Sequence, residues 1–262
     1  MSKTLSKGLY ILTLFNEEDA FLTVEELSKR ANIPKPTVYR LLKPLEEYRF
    51  IKKVEFVKGS SRIESDHYQL GVKCLELGAI AASQLELRNI SYPYMKQLRD
   101  ELGESVQLVI RDGNEAVYIE KVESDKPVRL YTKIGRRAPL YAGACPRAIL
   151  SFMPDDEIRR ILKPPLFSIG PNTNIKIEEI WESIIEAREK GYTFSESELE
   201  AGSAAFATPL FDHFGDIAGA LSIAGFSDHY MSTDDRDFVI PMWKVAEKIS
   251  KGLGFKKAYP FK

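Results

Sequence analysis

Between Leu22 and Leu45 apolar residues recur at intervals of three and four, and the polar residues among them carry the punctuation of two short helices. Thr23 stands three residues ahead of Glu26, the spacing at which a hydroxyl and a carboxylate each accept a free N–H at a helix start. Val24, Leu27 and Ala31 then share one face, and "NIP" ends the helix. The next helix is predicted to open at Pro36, where a missing N–H costs nothing. Ile33 and Lys35 are expected to be extended, because each precedes a proline. Val38, Leu41, Leu42 and Leu45 fall at i, i+3, i+4 and i+7 and should face inward. Pro44 removes the bond to the Arg40 carbonyl at a cost of about 3 kcal/mol, so it is expected to kink this helix or else to end it at Lys43. Ile51, Val54 and Phe56 favour a strand. A polar loop, "KGSSRIESD", separates them from "HYQL" in a β-hairpin. Helix, turn, helix and hairpin together predict a winged helix.

Downstream, "GVKCLELGAIAASQLEL" predicts a helix from Gly71 to about Leu87 with two apolar stripes. Val72, Leu75, Ala79 and Ala82 form one; Cys74, Leu77 and Ala81 form the other. Such a helix has more to bury than one module covers, which leaves a dimer contact or a wide core helix as its explanation. "ISYPYMKQLRDELG" predicts a helix closed by Gly103. "SVQLVIRDG", "EAVYIEKVE" and "VRLYTKIG" read as strands, the first two joined by a turn at "RDGNEA". "CPRAILSFMP" reads as a short helix with Pro146 at its first position, and "IEEIWESIIEAREKG" as a longer one capped by Gly191. "SAAFATPLFD" and "IAGALSIAGF" are strands joined at "HFGD". A last helix, roughly Thr233 to Gly252, follows "STDD". Strands and helices mix without strict alternation, so the class is α+β with a mostly antiparallel sheet. The predicted domains are a winged helix over 1–69, a linker helix over 70–87 and a second domain over 88–262.

Charge changes the picture locally. The chain of 262 residues has a net charge of −1, yet Lys35 to Arg62 holds eight basic residues against three acidic ones. A basic patch on a near-neutral protein points to nucleic acid, with a solvated face as the plain alternative. The candidate contacts are Lys35, Pro36, Thr37, Tyr39, Arg40 and Lys43 on the second helix, whose N-terminal part would enter the major groove, with Lys58 and Arg62 on the wing. No apolar run reaches the ~20 residues a membrane helix needs, and no signal peptide is read at the N-terminus. Cys74 and Cys145 form no CxxC pair, which suits a reducing cytoplasm. His67, His213 and His229 have no metal-ligand spacing, so neither a metal nor a cofactor is expected. Cys145 near a helix start could act as a nucleophile, but neither His213 nor His229 is an obvious base. "GACPRA" offers backbone N–H groups and a helix dipole to an anion, with Gly143 and Ala144 admitting a ligand close to the backbone. A tight strand-to-helix turn is the alternative there. A small-molecule-binding module whose winged helix contacts protein remains a rival to DNA binding.

The chain resembles the IclR-type transcriptional regulators over nearly its full length. The resemblance rests on "LSKGLYILTLF", "TVEELSKRANIPKPTVYRLLKPLEEYRFI", "YQLGVKCLELG", "GESVQLVIRDGNEAVYIEKVES" and "FATPLFDHFGDIAGALSIAGF". It implies a winged helix, a linker helix and a GAF-like effector-binding domain. It also implies double-stranded operator DNA and a small organic acid as partners, and a homodimer, possibly a tetramer. Position by position, it places Ala144, Cys145, Ser195, Ser203, Ala205, Ser222 and Ala224 at the effector. The chain departs from the family pattern in carrying Pro146-Arg147 where Gly-Lys is usual, Ser195 where an acid is common and Ala224 where a serine is common. Ligand identity therefore does not transfer.

Overall fold

The computed structural model of the chain describes residues 3–16, 18–58, 61–127, 129–130 and 132–257. It divides into two compact units, Met1–Gln84 and Leu85–Lys262.

In the first unit, α1 (Lys3–Thr13), α2 (Val24–Ala31) and α3 (Lys35–Glu47) pack around Ile11, Leu27, Val38, Leu41 and Leu42. The capping box forms as its spacing predicts. Thr23 Oγ1 accepts from Glu26 N at 3.2 Å, and Thr23 N donates to Glu26 Oε2 at 2.8 Å. Asn32 closes α2 in the left-handed region at φ 54°. Helix α3 begins one residue earlier than expected, so Lys35 is helical rather than extended and Pro36 takes the second position. The first four N–H groups of a helix lack intrahelical partners, which makes a proline as harmless at the second position as at the first. The helix runs through Pro44 to Glu47 and so does not end at Lys43. Beyond the proline, Tyr48 N donates to Pro44 O at 3.0 Å and Phe50 N to Leu45 O at 2.8 Å.

The hairpin pairs β2 (Ile51–Lys58) with β3 (Ser61–Leu70), and β1 (Leu22–Thr23) adds to the far side of β3. Most of the expected polar loop is therefore strand. Ile63 pairs with Phe56 and Arg62 with Val57, so the backbone ladder is satisfied whatever the side-chain polarity. At the base of the hairpin the chain passes itself closely: a Cβ on Gly71 would lie 2.1 Å from the Arg49 carbonyl oxygen, so only glycine fits. Helix α4 (Val72–Ser83) follows and stops short of the expected Leu87.

In the second unit six antiparallel strands take the order β6-β5-β4-β9-β8-β7. They are β4 (Ser105–Asp112), β5 (Glu115–Val122), β6 (Arg137–Pro139), β7 (Thr193–Glu196), β8 (Ser203–Phe211) and β9 (Ile217–Phe226). In its described residues "VRLYTKIG" is not a strand. The edge of β5 is taken by β6, and Tyr118 exchanges backbone bonds with Gly135 and Arg136. Helices α5 (Glu86–Leu102) and α10 (Asp235–Gly252) cover one face, burying Met95, Leu98, Leu108, Phe206 and Ile249. Helices α6 (Ala144–Ser151) and α8 (Ile177–Lys190) cover the other, over Val109, Ala207 and Ala220. Gly103 and Gly191 cap α5 and α8 in the left-handed region, and Asp234 caps α10. Helix α6 starts at Ala144, which puts Pro146 at its third position rather than its first. Two short helices, α7 (Asp155–Ile161) and α9 (Ser227–Met231), had no expectation. No helix among the described residues is long and apolar enough to cross a membrane.

Candidate functional site

Two places gather the residues singled out by the sequence. On α3, burial of Val38, Leu41 and Leu42 turns Lys35, Pro36, Tyr39, Arg40 and Lys43 to solvent, with Thr37 half-buried. A tyrosine ring left 58% exposed beside a guanidinium and an ammonium suits a polyanion better than a core. Lys35 Nζ lies 3.3 Å from Glu25 of α2. Thr37 and Arg40 share a groove with Lys3, Thr4 and Lys7 of α1. The two lysines extend the basic face beyond the residues named from sequence; their signal is the four-residue spacing of Lys3 and Lys7 on α1. Lys58 and Arg62 pair opposite β2 and β3 positions on the backbone, and their side chains lie outside the described residues.

The second place is built by strand register. Ser195, Ala205 and Ala224 stand in one row across β7, β8 and β9, and Ala207, Ser222 and Gln107 stand in the next row across β8, β9 and β4. These side chains are small or uncharged where a sheet normally packs large apolar groups, so α6 cannot close against them. A cavity of about 40 Å³ remains, enough for a few water molecules. All seven residues carried over by the resemblance, Ala144, Cys145, Ser195, Ser203, Ala205, Ser222 and Ala224, line it. Gln107, Tyr118, Leu130, Thr132, Arg136, Leu199 and Glu200 line it too and were missed. Alternation along "SVQLVIRD" already sets Gln107 apart as an amide between apolar neighbours. Nothing in the local sequence marks Arg136 or Glu200.

Inside the cavity Gln107 Nε2 donates to Thr132 Oγ1 at 2.7 Å, and Ser222 Oγ lies 3.4 Å from Gln107 Oε1. Burial pushes the Cys145 thiol up to about 12, so it stays protonated; its Sγ lies 3.5 Å from the Ala220 carbonyl. Burial likewise holds the Tyr118 phenol well above its ordinary value. Among the described residues the charged groups lining the cavity are Arg136 and Glu200, and no histidine lines it. The start of α6 differs from expectation. Gly143 N donates to Glu198 Oε2 at 2.9 Å, and Ala144 N donates to Ser195 Oγ at 2.9 Å. Glu198 also holds Arg147 Nη1 at 2.7 Å, a pair almost entirely buried. The anion favoured by this helix start is the chain's own carboxylate. Gly143 holds φ 84°, and a Cβ there would lie 2.7 Å from Leu199 Cδ1. Among the described residues no group of three His, Cys, Asp or Glu side chains could hold a metal.

Comparison with known proteins agrees with this division of labour. Residues 4–55 match the IclR helix-turn-helix domain, and residues 79–251 match the bacterial transcriptional regulator IclR C-terminal family. The HTH-type transcriptional regulator KipR of Bacillus subtilis is 44% identical over 257 residues, covering 97% of this chain and 98% of that protein. The HTH-type transcriptional repressor AllR of Escherichia coli is 31% identical, covering 99% and 93% respectively. Among solved structures, the transcriptional regulator of this family from Alicyclobacillus acidocaldarius superposes with a TM-score of 0.82 at 25% identity, over 97% of this chain and 100% of that one. An IclR homolog of Microbacterium hydrocarbonoxydans, complexed with 4-hydroxybenzoate, shares the fold with a TM-score of 0.80 at 21% identity, over 96% and 99%. The relatives that match are named as transcriptional regulators. The chain belongs to the IclR family of transcriptional regulators, with a helix-turn-helix DNA-binding domain followed by a C-terminal effector domain.

Proposed function

We propose that this protein is a cytoplasmic repressor whose hold on a double-stranded operator is set by a small organic acid bound in the cavity under α6. The observation that carries the reading is the convergence of seven resemblance-derived residues, from α6, β7, β8 and β9, on one cavity. In this reading α3 enters the major groove from Lys35 to Lys43, and Lys3 and Lys7 rest on phosphates. Lys58 and Arg62 do the same from the wing. Two chains are needed for a two-fold operator. Helix α4 supplies a surface for pairing, because none of its residues is buried within the chain and Leu75 is 73% exposed. That exposure argues against a wide core helix.

The test is selection of DNA fragments by the purified full-length protein, with and without a panel of small carboxylates. Recovery of one sequence motif, bound less or more tightly when an acid is present, is the expected result. Log affinity should fall with log salt at roughly 0.9 per phosphate neutralised. Affinity for DNA that ignores salt would sink the DNA-binding reading and favour a protein-contacting winged helix.

A further inference from the structure

We propose that Arg136 and Glu200 form a clasp at the mouth of the cavity, and that a small monocarboxylate opens it by replacing Glu200 on the guanidinium. The inference rests on reading this cavity as the effector site. Arg136 Nη1 lies 2.5 Å from Glu200 Oε1. Among the described residues lining the cavity these are the one cation and the one carboxylate. Of the other polar residues, Gln107, Thr132, Ser195 and Ser222 are buried and offer only neutral partners, and the Gly143 and Ala144 N–H groups already serve Glu198 and Ser195. An incoming carboxylate therefore finds its counter-charge at Arg136, whose planar fork matches a carboxylate with two parallel hydrogen bonds.

The two partners are held differently. Arg136 is tied to the sheet: its carbonyl accepts from Tyr118 N at 3.0 Å, Gly135 N donates to Tyr118 O at 2.7 Å, and its guanidinium carbon sits 6.0 Å from the Tyr118 ring centre. Glu200 rides on the turn between β7 and β8, with its side chain 43% exposed against 24% for Arg136. A partly exposed pair of this kind is weak, so a second carboxylate can exchange for the first at little cost. Exchange would release the turn that also carries Glu198, the cap of α6, and Leu199, which packs on Gly143. A ligand that prefers one arrangement of this turn shifts the population toward it. The depth of the cavity then reads the uncharged end of the acid through amide and hydroxyl groups.

The experiment is calorimetry on the full-length protein with acetate, lactate and benzoate, each beside its neutral amide. At least one acid should bind the wild type. Glu200→Gln, which frees Arg136, should bind it about twofold to fivefold more tightly, and Arg136→Gln at least about tenfold more weakly. Arg136→Lys, which keeps the charge on a side chain of similar reach, should fall between. None of the three changes should alter binding of the amides. An acid that binds Arg136→Gln or Arg136→Lys and wild type alike, or no acid binding to Glu200→Gln, would overturn the clasp. Ala205→Leu, which fills the interior, separates the two levels. Acid binding lost there but unchanged in Arg136→Gln keeps the cavity and removes the clasp. Acid binding unchanged in Ala205→Leu removes the cavity reading itself.

Discussion

Arg40 is exposed on α3 while its neighbours Val38, Leu41 and Leu42 hold the core, so its side chain can be removed without touching the fold. Arg40→Ala is expected to weaken operator binding by about 1–3 kcal/mol and to relax preference at one base step. Lys7→Ala should weaken all sequences alike and lower the salt slope by about one. Titration of both variants at two salt concentrations distinguishes base reading from phosphate anchoring; an Arg40→Ala protein indistinguishable from wild type would move the reading face elsewhere. Cys145 supplies a second test. Its folded-state pKa is raised to about 12 by burial, so proton binding favours the folded state below the ordinary thiol range. That contribution is lost as pH climbs from about 9 towards 12. Iodoacetamide at pH 8 should leave Cys145 unmodified in the folded protein and label it after denaturation, read by mass spectrometry of the peptide. Rapid labelling of the native chain would mean that the site is more open than described.

Element by element, local chemistry decided what could be read in advance. The α2 cap was legible because Thr23 and Glu26 act across three residues, and nothing distant overrides them. Thr23→Ala should cost about 1 kcal/mol in urea unfolding of the winged-helix unit. Backbone and hydroxyl bonds from Thr23 hold the Glu26 carboxyl below its ordinary range. Its contribution is therefore present above that range and lost as pH falls through the depressed value. The wild type should lose more stability than Glu26→Gln on acidification below about pH 4; equal losses would show the cap to be electrostatically idle. The hairpin was misread for a different reason. Residues 61–66 look polar enough for a loop, but pairing with β2 depends on backbone groups that composition does not report. Seven of the cavity residues came from the resemblance to the family rather than from local pattern, and Arg136 and Glu200 came from neither. They meet only because β6 docks on β5 and the β7–β8 turn folds over the same sheet, a relation between residues 64 apart in sequence.

For the whole molecule, the informative surface is α4. Val72, Leu75, Leu77 and Ile80 are each 45% exposed or more, and no residue of the helix is buried. A second chain would cover them, and Leu75→Glu should lower the molar mass seen by light scattering at micromolar concentration while leaving the helical signal unchanged. An unchanged mass would show that the chains pair elsewhere or not at all. A regulator paired through α4 would not titrate its operator as a lone binder does. At low abundance the number of pairs grows with the square of copy number. The promoter would then respond to a modest rise in synthesis of this protein more steeply than in proportion. Its control would lie in how many chains a cell makes as much as in how much acid it holds.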